Sequence, residues 1–139
     1  MVCVWCDASY DDKTKKCGLG IVIKQLVLGG IKESRIQVKD CAIDNNEAEL
    51  KAIRLGIMHV DKPLREPIHI VTDSMVAINA LKDPEHCPEK YKALVKNIIH
   101  CMGGERVRIY HCKGHNQKGN KYSNIQAICD KLAKKAYRD

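Results

Sequence analysis

The chain has 139 residues, of which 45% are hydrophobic and 29% are charged. This composition is typical of one folded domain, predicted over residues 1–139, and it excludes a disordered tail. The longest hydrophobic runs are far shorter than the roughly 18 residues that a membrane-spanning helix needs. The net charge of +7 favours a polyanionic partner, although solvated lysine-rich surfaces would give the same value.

Hydrophobic patterning in the first part of the chain predicts three strands in a meander, over residues 2–10, 18–28 and 31–38. Gly29-Gly30 is a hairpin signal between the second and third strands. Hydrophobic residues then recur at intervals of three and four from Leu50 to Val60. This spacing predicts an amphipathic helix, with Asn45 or Asn46 as its N-cap.

The rest of the chain predicts two further strands and three helices. Residues 68–72 are typical of a short buried strand, and residues 74–81 and 91–99 of helices, the second ending at Gly103-Gly104. Alternation over residues 106–111 predicts a fifth strand, and a hydrophobic stripe over residues 125–136 predicts a last helix. The order βββαβααβα fits an α/β fold with one five-stranded mixed sheet flanked by helices.

The start of the chain predicts a cytoplasmic location, because it lacks a basic stretch followed by a hydrophobic segment. We therefore interpret the eight cysteines as reduced, mostly buried thiols. Cys3 and Cys6 have a C-x-x-C spacing, but residues three apart on a strand point to opposite faces. A zinc site is a minor alternative without a fourth ligand at the usual spacing; its residues would be His111, Cys112 and His115 with Cys3 or Cys6.

Four acidic residues stand at positions where a carboxylate is unusual. Asp7 follows the hydrophobic start of the first strand, and Asp73 follows the strand at residues 68–72, at the carboxyl end where α/β sheets bind ligands. If these strands are neighbours, the two acids repel each other unless a cation lies between them. Glu49 and Asp130 border hydrophobic helix stripes and can reach the same edge. Each acid alone has a plainer explanation, as a turn cap or surface group, so the predicted metal site rests on all four.

Five short motifs surround these acids along the chain. They are Cys6-Asp7-Ala8-Ser9 with Gly18-Leu19-Gly20, Asn45-Asn46-Glu47-Ala48-Glu49-Leu50, Thr72-Asp73-Ser74, Lys113-Gly114-His115 and Cys129-Asp130-Lys131-Leu132-Ala133. In order and spacing they resemble type 1 ribonuclease H. The resemblance covers the chain from about residue 2 to residue 136. It implies a ribonuclease H-like fold and an endonuclease that cuts the RNA strand of an RNA/DNA hybrid, leaving 5′-phosphate and 3′-hydroxyl ends.

The resemblance also implies roles for single residues. The catalytic acids are Asp7, Glu49, Asp73 and Asp130. They would bind two Mg²⁺ ions, or Mn²⁺ ions in their place. One ion would lower the pKa of the attacking water, and the other would stabilise the departing 3′-oxygen. His115 would assist proton transfer or product departure. Ser9, Asn45 and Asn46 would contact the substrate, the two asparagines in the minor groove, where 2′-hydroxyls distinguish RNA from DNA.

The chain departs from the family pattern at several places. Ala8 stands where glycine is frequent, and Met75 where a glutamine often contacts the substrate. Asp44 replaces a threonine that helps to hold a DNA phosphate, and an acid there repels phosphate unless it points away. Residues 81–91 are too few for the extra basic helix and tryptophan-bearing handle of many relatives, and Trp5 is predicted to lie in the core. Binding would then rest on other cations, such as Lys113, Lys118 and Lys121.

Two alternatives to a hybrid-specific ribonuclease stay open. The first is a DNA nuclease of related fold, which the pair Asn45-Asn46 and the loop around His115 disfavour. The second is a catalytically inactive nucleic-acid-binding module, which is disfavoured because mutually repelling carboxylates would have no use in it. The expected state is a monomer that binds an RNA/DNA hybrid and no membrane.

Overall fold

The computed structural model describes residues 2–61, 66–104, 106–112 and 121–138. Within these ranges, the strands are β1 (Val2–Tyr10), β2 (Lys16–Val27), β3 (Gly30–Cys41), β4 (Ile68–Thr72) and β5 (Val107–His111). The α-helices are α1 (Asn45–Met58), α2 (Met75–Lys82), α3 (Glu89–Met102) and α4 (Lys121–Arg138). The predicted order is confirmed, with one short 3-10 helix, Pro84–His86, added between α2 and α3.

The strands form one mixed sheet in the order β3-β2-β1-β4-β5, which confirms the predicted fold class. β1 lies at the centre, antiparallel to β2 and parallel to β4. The pairing of β1 with β4 runs from Val2↔Ile68 to Trp5↔Val71 and ends there. Asp7 and Asp73 therefore lie just beyond the last pair, at the edge where ligands of such sheets bind.

Hydrophobic residues pack on both faces of the sheet because the side chains of a central strand alternate between the faces. Cys6 belongs to the larger cluster beneath α1, whereas Cys3 packs against the smaller cluster beneath α4. Trp5 is buried in the smaller cluster, next to Ile125 and Cys129 of α4. The core role predicted for Trp5 is thus confirmed, and Cys3 and Cys6 point to opposite faces as expected.

Helix α4 crosses β2 at unusually short range because two strand positions have no side chain. A Cβ atom on Gly20 would overlap the carbonyl oxygen of Cys129 and would lie 2.7 Å from the amide nitrogen of Ala133. A Cβ atom on Gly18 would overlap the carbonyl oxygen of Ala133 in the same way. The two glycines therefore let the backbone of α4, and with it Asp130, approach the sheet closely.

Several element ends differ from those predicted. β3 continues to Cys41, beyond the predicted residue 38, because its pairing with β2 extends to Lys16↔Cys41. Helix α4 begins at Lys121, four residues before the hydrophobic stripe that predicted it. Hydrophobic patterning marks the packed part of an element, so it misses polar ends that backbone hydrogen bonds alone extend. The predicted end of α3 is confirmed, with Gly103 in the left-handed conformation that glycine tolerates.

The N-cap of α1 is Asp44, so the prediction of Asn45 or Asn46 was wrong. The Asp44 side chain accepts a hydrogen bond of 2.8 Å from the backbone N–H of Glu47. Its other oxygen accepts a hydrogen bond of 2.6 Å from the Tyr91 hydroxyl, and it lies 3.0 Å from the ammonium of Lys90. One side chain therefore caps α1 and ties it to the first turn of α3.

Replacing Asp44 with alanine is expected to lower the free energy of unfolding by about 2 kcal/mol. The helix loses its cap, which is worth about 1 kcal/mol, and the Tyr91 hydroxyl loses its acceptor. Urea unfolding of the two proteins measures the change. Asp44→Asn, which keeps an acceptor oxygen for the helix, is the control and should lose less than half as much. Equal losses in the two variants would contradict the assigned cap.

Candidate metal centre

Three carboxyl groups meet where β1 and β4 separate. Asp7 comes from β1, Glu49 from the second turn of α1, and Asp73 from the residue that follows β4. One ligand oxygen from each lies within 4.8 Å of the others. Asp7 and Glu49 are only 2% and 3% exposed, and Asp73 is half-buried. The geometry therefore brings together three of the four predicted metal ligands.

The fold determines these positions in two ways. The parallel register of β1 and β4 places Asp7, within β1, and Asp73, directly after β4, at one edge. The cap at Asp44 starts α1 so that Glu49 falls among the buried residues Ala48 and Leu50, on the face turned to the sheet. A buried position is unfavourable for an ionised glutamate unless a cation or a proton compensates it.

The fourth acid, Asp130, lies on the wall of the same cleft, which has a volume of about 360 Å³. It is less buried than Asp7 and forms an ion pair of 3.0 Å with Lys134, one turn further along α4. Its charge nevertheless raises the pKa of Asp7. Asp130 therefore lines the cleft of the three-acid cluster but is not part of the cluster itself.

The electrostatics of the cluster favour a bound cation. Burial, followed by the charge of Asp73 and then that of Asp130, raises the pKa of Asp7 to about 7, against a hydrogen bond from the Ala8 N–H. Burial, followed by the charges of Asp7 and Asp73, also raises the pKa of Glu49 well above its usual value. Among the described residues, one oxygen of Asp7 and one of Glu49 are buried without a hydrogen-bond partner. Such oxygens are the ligands that Mg²⁺ and Mn²⁺ prefer, so the cluster fits a divalent ion.

Without divalent ions, the stability of the protein is expected to fall as the pH rises from about 4 to about 8. The raised pKa of Asp7, about 7, means that the native protein keeps a proton that the unfolded chain has released, which costs up to about 1.4 kcal/mol per pH unit in this interval. Millimolar Mg²⁺ should flatten the dependence because the cation replaces the proton. Thermal unfolding at pH 5 and pH 8, in EDTA and in Mg²⁺, measures this pH dependence of the stability. A pH dependence unchanged by Mg²⁺ would count against the metal centre.

Two of the three predicted substrate contacts, Asn45 and Asn46, line the cleft of this cluster, and Ser9 is not among its lining residues. Asn45 and Asn46, in the first turn of α1, line the cleft beside Glu49. Met75 also lines it and is 48% exposed, so a flexible hydrophobic side chain takes part in the surface. Ser9 is half-buried on β1, opposite Gly18 of β2, two residues beyond Asp7. The predicted His115 and the lysines Lys113 and Lys118 lie outside the described residues, as do the side-chain contacts of Lys121.

The negative charge of Asp44 is compensated by neighbouring groups of the protein. Although burial raises the pKa of Asp44, hydrogen bonds from Tyr91, from the Glu47 N–H and from Lys90 hold it below its usual value. The carboxylate is therefore ionised and paired with an exposed ammonium, which reduces the repulsion of phosphate that the sequence predicted. In the sequence, Tyr91 is a hydrophobic position of the helix predicted over residues 91–99, and its hydroxyl gives no separate signal.

Two polar residues near the acids make contacts that the sequence did not predict. The Nε2 atom of His111 lies 3.2 Å from the main-chain oxygen of Asp73. The buried side chain of Gln126, on α4, donates a hydrogen bond of 2.6 Å to the carbonyl oxygen of Cys6, next to Asp7. Only the position of Gln126, one helical turn before Asp130, was a signal that could have drawn attention to it.

The zinc alternative finds no support in the described part of the chain. Cys3 and Cys6 lie on opposite faces of the sheet, and Cys112 is buried in the cluster around Trp5. Within the described ranges, the group of three or more residues able to hold a metal consists of acids only.

No helix among the described residues combines the length and the hydrophobicity that crossing a lipid bilayer requires.

The chain is similar to known proteins in sequence pattern and in fold. The model of the RNase H family matches residues 1–138. Among curated protein sequences there is no match. LC11-RNase H1, isolated from compost and solved in complex with an RNA/DNA hybrid, is 16% identical with a TM-score of 0.77, over 99% of this chain and 97% of that one.

Two structures from prototype foamy virus are also similar. The solution structure of its RNase H domain is 18% identical with a TM-score of 0.76, over 99% of this chain and 94% of that domain. The viral protease-reverse transcriptase is 20% identical with a TM-score of 0.76, and this chain spans 21% of its length. At such identities the structural likeness establishes the fold, and the match to the family model extends over nearly the whole chain.

Proposed function

The chain belongs to the RNase H family, and from this premise we propose that it is an endonuclease that hydrolyses the RNA strand of RNA/DNA hybrids. The observation that carries the proposal is the buried cluster of Asp7, Glu49 and Asp73, with its unpartnered oxygens, in a cleft lined by Asn45 and Asn46. Family members use divalent metal ions, and the cluster is suited to hold them.

We propose two Mg²⁺ ions, replaceable by Mn²⁺, as the cofactors. The acids of the cluster would hold them together with Asp130, which lines the same cleft. When bound, such ions supply an activated water and stabilise the leaving oxygen of a phosphodiester, which gives 5′-phosphate and 3′-hydroxyl ends. The Ala8 N–H, 2.9 Å from Asp7, holds this carboxylate in place on a central strand, so the ligand needs little reorganisation.

The walls of the cleft determine which nucleic acid fits. Asn45 and Asn46 carry neutral amides, which can both donate to and accept from 2′-hydroxyls of the RNA strand. Lys90, held beside Asp44 at 3.0 Å, adds a cation next to this wall for the phosphate backbone. His115, by its resemblance to the family pattern, would assist proton transfer or product departure.

A cleavage assay tests the function. End-labelled RNA/DNA hybrid, duplex DNA and single-stranded RNA are each incubated with the complete chain, in Mg²⁺ and in EDTA. We expect cutting of the RNA in the hybrid only, in Mg²⁺ only, and loss of cutting in Asp73→Asn. Cutting of duplex DNA would favour a DNA nuclease, and hybrid binding without cutting would favour an inactive binding module. Size-exclusion chromatography of the same sample tests the proposed monomer.

A further inference from the structure

A buried glutamine joins helix α4 to the central strand beside the metal centre. Gln126 is 2% exposed, and its Nε2 atom donates a hydrogen bond of 2.6 Å to the main-chain oxygen of Cys6. Cys6 directly precedes Asp7 and lies one residue beyond the last β1–β4 pair, Trp5↔Val71. The amide therefore holds β1 where the two strands separate to form the acidic edge.

The orientation of the Gln126 amide follows from its partner. A carbonyl oxygen can only accept, so the NH₂ group of Gln126 must face Cys6. The Oε1 atom of Gln126 is then turned away, and it is buried without a hydrogen-bond partner among the described residues. An unsatisfied buried acceptor costs about 1–3 kcal/mol. A methionine of similar length would remove this cost but would leave the Cys6 carbonyl without its donor. The glutamine therefore adds little net stability, and the stability of the fold alone does not explain it.

The position of Gln126 on α4 does explain it. Residues four apart lie on the same face of a helix, so Gln126 and Asp130 face the sheet side by side. Gln126 holds Cys6, the residue before Asp7, and Asp130 raises the pKa of Asp7 through its charge. A second bond, of 3.3 Å from the Cys129 thiol to the Trp5 carbonyl, joins the same two elements one strand position earlier. These two hydrogen bonds, to Cys6 and to Trp5, thereby determine the distance between Asp7 and Asp130.

We infer that Gln126 is a positioning residue of the metal centre, which ties the helix of Asp130 to the strand of Asp7 and so determines the distance across which the two acids share bound cations. The inference rests on the proposed function in that it takes Asp7 and Asp130 as ligands of one site. Some residues orient metal ligands without contacting the metal themselves. Replacing such a residue typically lowers metal affinity or activity by about 10–100-fold.

The test uses Gln126→Met, which keeps the length of the side chain and removes its hydrogen bond. Binding of Mn²⁺ alone, followed by the loss of the free-ion signal in electron paramagnetic resonance, should weaken about 10–100-fold. The Mg²⁺ concentration that half-saturates hybrid cleavage should rise by a similar factor. The melting temperature in EDTA should change little, because the substitution removes the unsatisfied Oε1 atom but leaves the Cys6 carbonyl without its donor.

Ile125→Val is the matched control, since Ile125 is the buried neighbour of Gln126 on α4. It should lower stability by about 1 kcal/mol and leave Mn²⁺ binding unchanged. Unchanged Mn²⁺ affinity in Gln126→Met would overturn the inference. A methionine variant that fails to fold, or melts below Ile125→Val in EDTA, would also overturn it, because the amide would then support the fold. The Mn²⁺ measurement needs no substrate, so a native chain that cuts no hybrid would refute only the proposed function.

Discussion

Replacing Asp7 with asparagine is expected to lower the rate of Mg²⁺-dependent hybrid cleavage by at least about 10³-fold. Bound cations contribute several kcal/mol of charge stabilisation in the transition state, and each 1.4 kcal/mol corresponds to about a tenfold change in rate. Asp7 is the most buried acid of the cluster, and the amide that replaces it has one oxygen and no charge. Cleavage of a labelled hybrid at several Mg²⁺ concentrations measures the loss.

The same substitution is expected to stabilise the metal-free protein. Because the pKa of Asp7 is raised to about 7, its ionised form is unfavourable in the native state, and at pH 8 the cost is on the order of 2–4 kcal/mol. Asp7→Asn removes this charge without changing the volume. Its melting temperature in EDTA at pH 8 should therefore exceed that of the native chain, and Mg²⁺ should raise it less. A rise in stability together with a loss of activity is the signature of a site built from repelling acids.

Asp12→Asn is the control for both measurements. Asp12 is an exposed acid in the turn between β1 and β2, paired with Lys15 at 3.0 Å. Exposed pairs contribute about 0–1 kcal/mol, so neither activity nor stability should change much. If Asp7→Asn kept more than a tenth of the native activity, the cluster would not be the catalytic centre. If it destabilised the metal-free protein, the buried carboxylate would have a structural partner.

The sequence predicted the parts of the site that depend on local patterns. Two short hydrophobic strand segments, each followed by an aspartate, suffice to place Asp7 and Asp73 at one edge once the strands are neighbours. The helical spacing from Leu50 to Val60 placed Glu49 on the border of the packed face. Such patterns report burial, and a carboxylate at a buried position is a strong signal because its cost must be compensated.

The remaining parts depend on contacts between distant segments, which no local pattern records. Asp44, Asn45 and Asn46 are all good N-caps, and only the partners Tyr91 and Lys90, nearly fifty residues away, distinguish Asp44. The bond between Gln126 and Cys6 spans 120 residues. Hydrophobic periodicity gives the face of a helix but not its height above the sheet, so these contacts could not be predicted.

Replacing Gly20 with alanine is expected to lower the free energy of unfolding by about 3 kcal/mol and the melting temperature by roughly 10 °C. The added Cβ would overlap the carbonyl oxygen of Cys129 and lie 2.7 Å from the amide nitrogen of Ala133. Both atoms belong to the backbone of α4, which has no rotamer that could relieve the overlap. The helix must therefore move away from β2, and differential scanning calorimetry measures the cost.

Gly29→Ala is the control, because Gly29 lies in the β2–β3 turn with nothing within 4 Å of an added Cβ. Its φ of +97° adds backbone strain of about 1 kcal/mol, far from the acids. Since a shift of α4 carries Asp130 and Gln126 with it, Gly20→Ala should also weaken Mn²⁺ binding, which Gly29→Ala should leave intact. Equal losses of stability in the two variants would show that α4 tolerates the added methyl group. Lower stability with unchanged Mn²⁺ binding would show that the metal centre does not depend on the distance between α4 and the sheet.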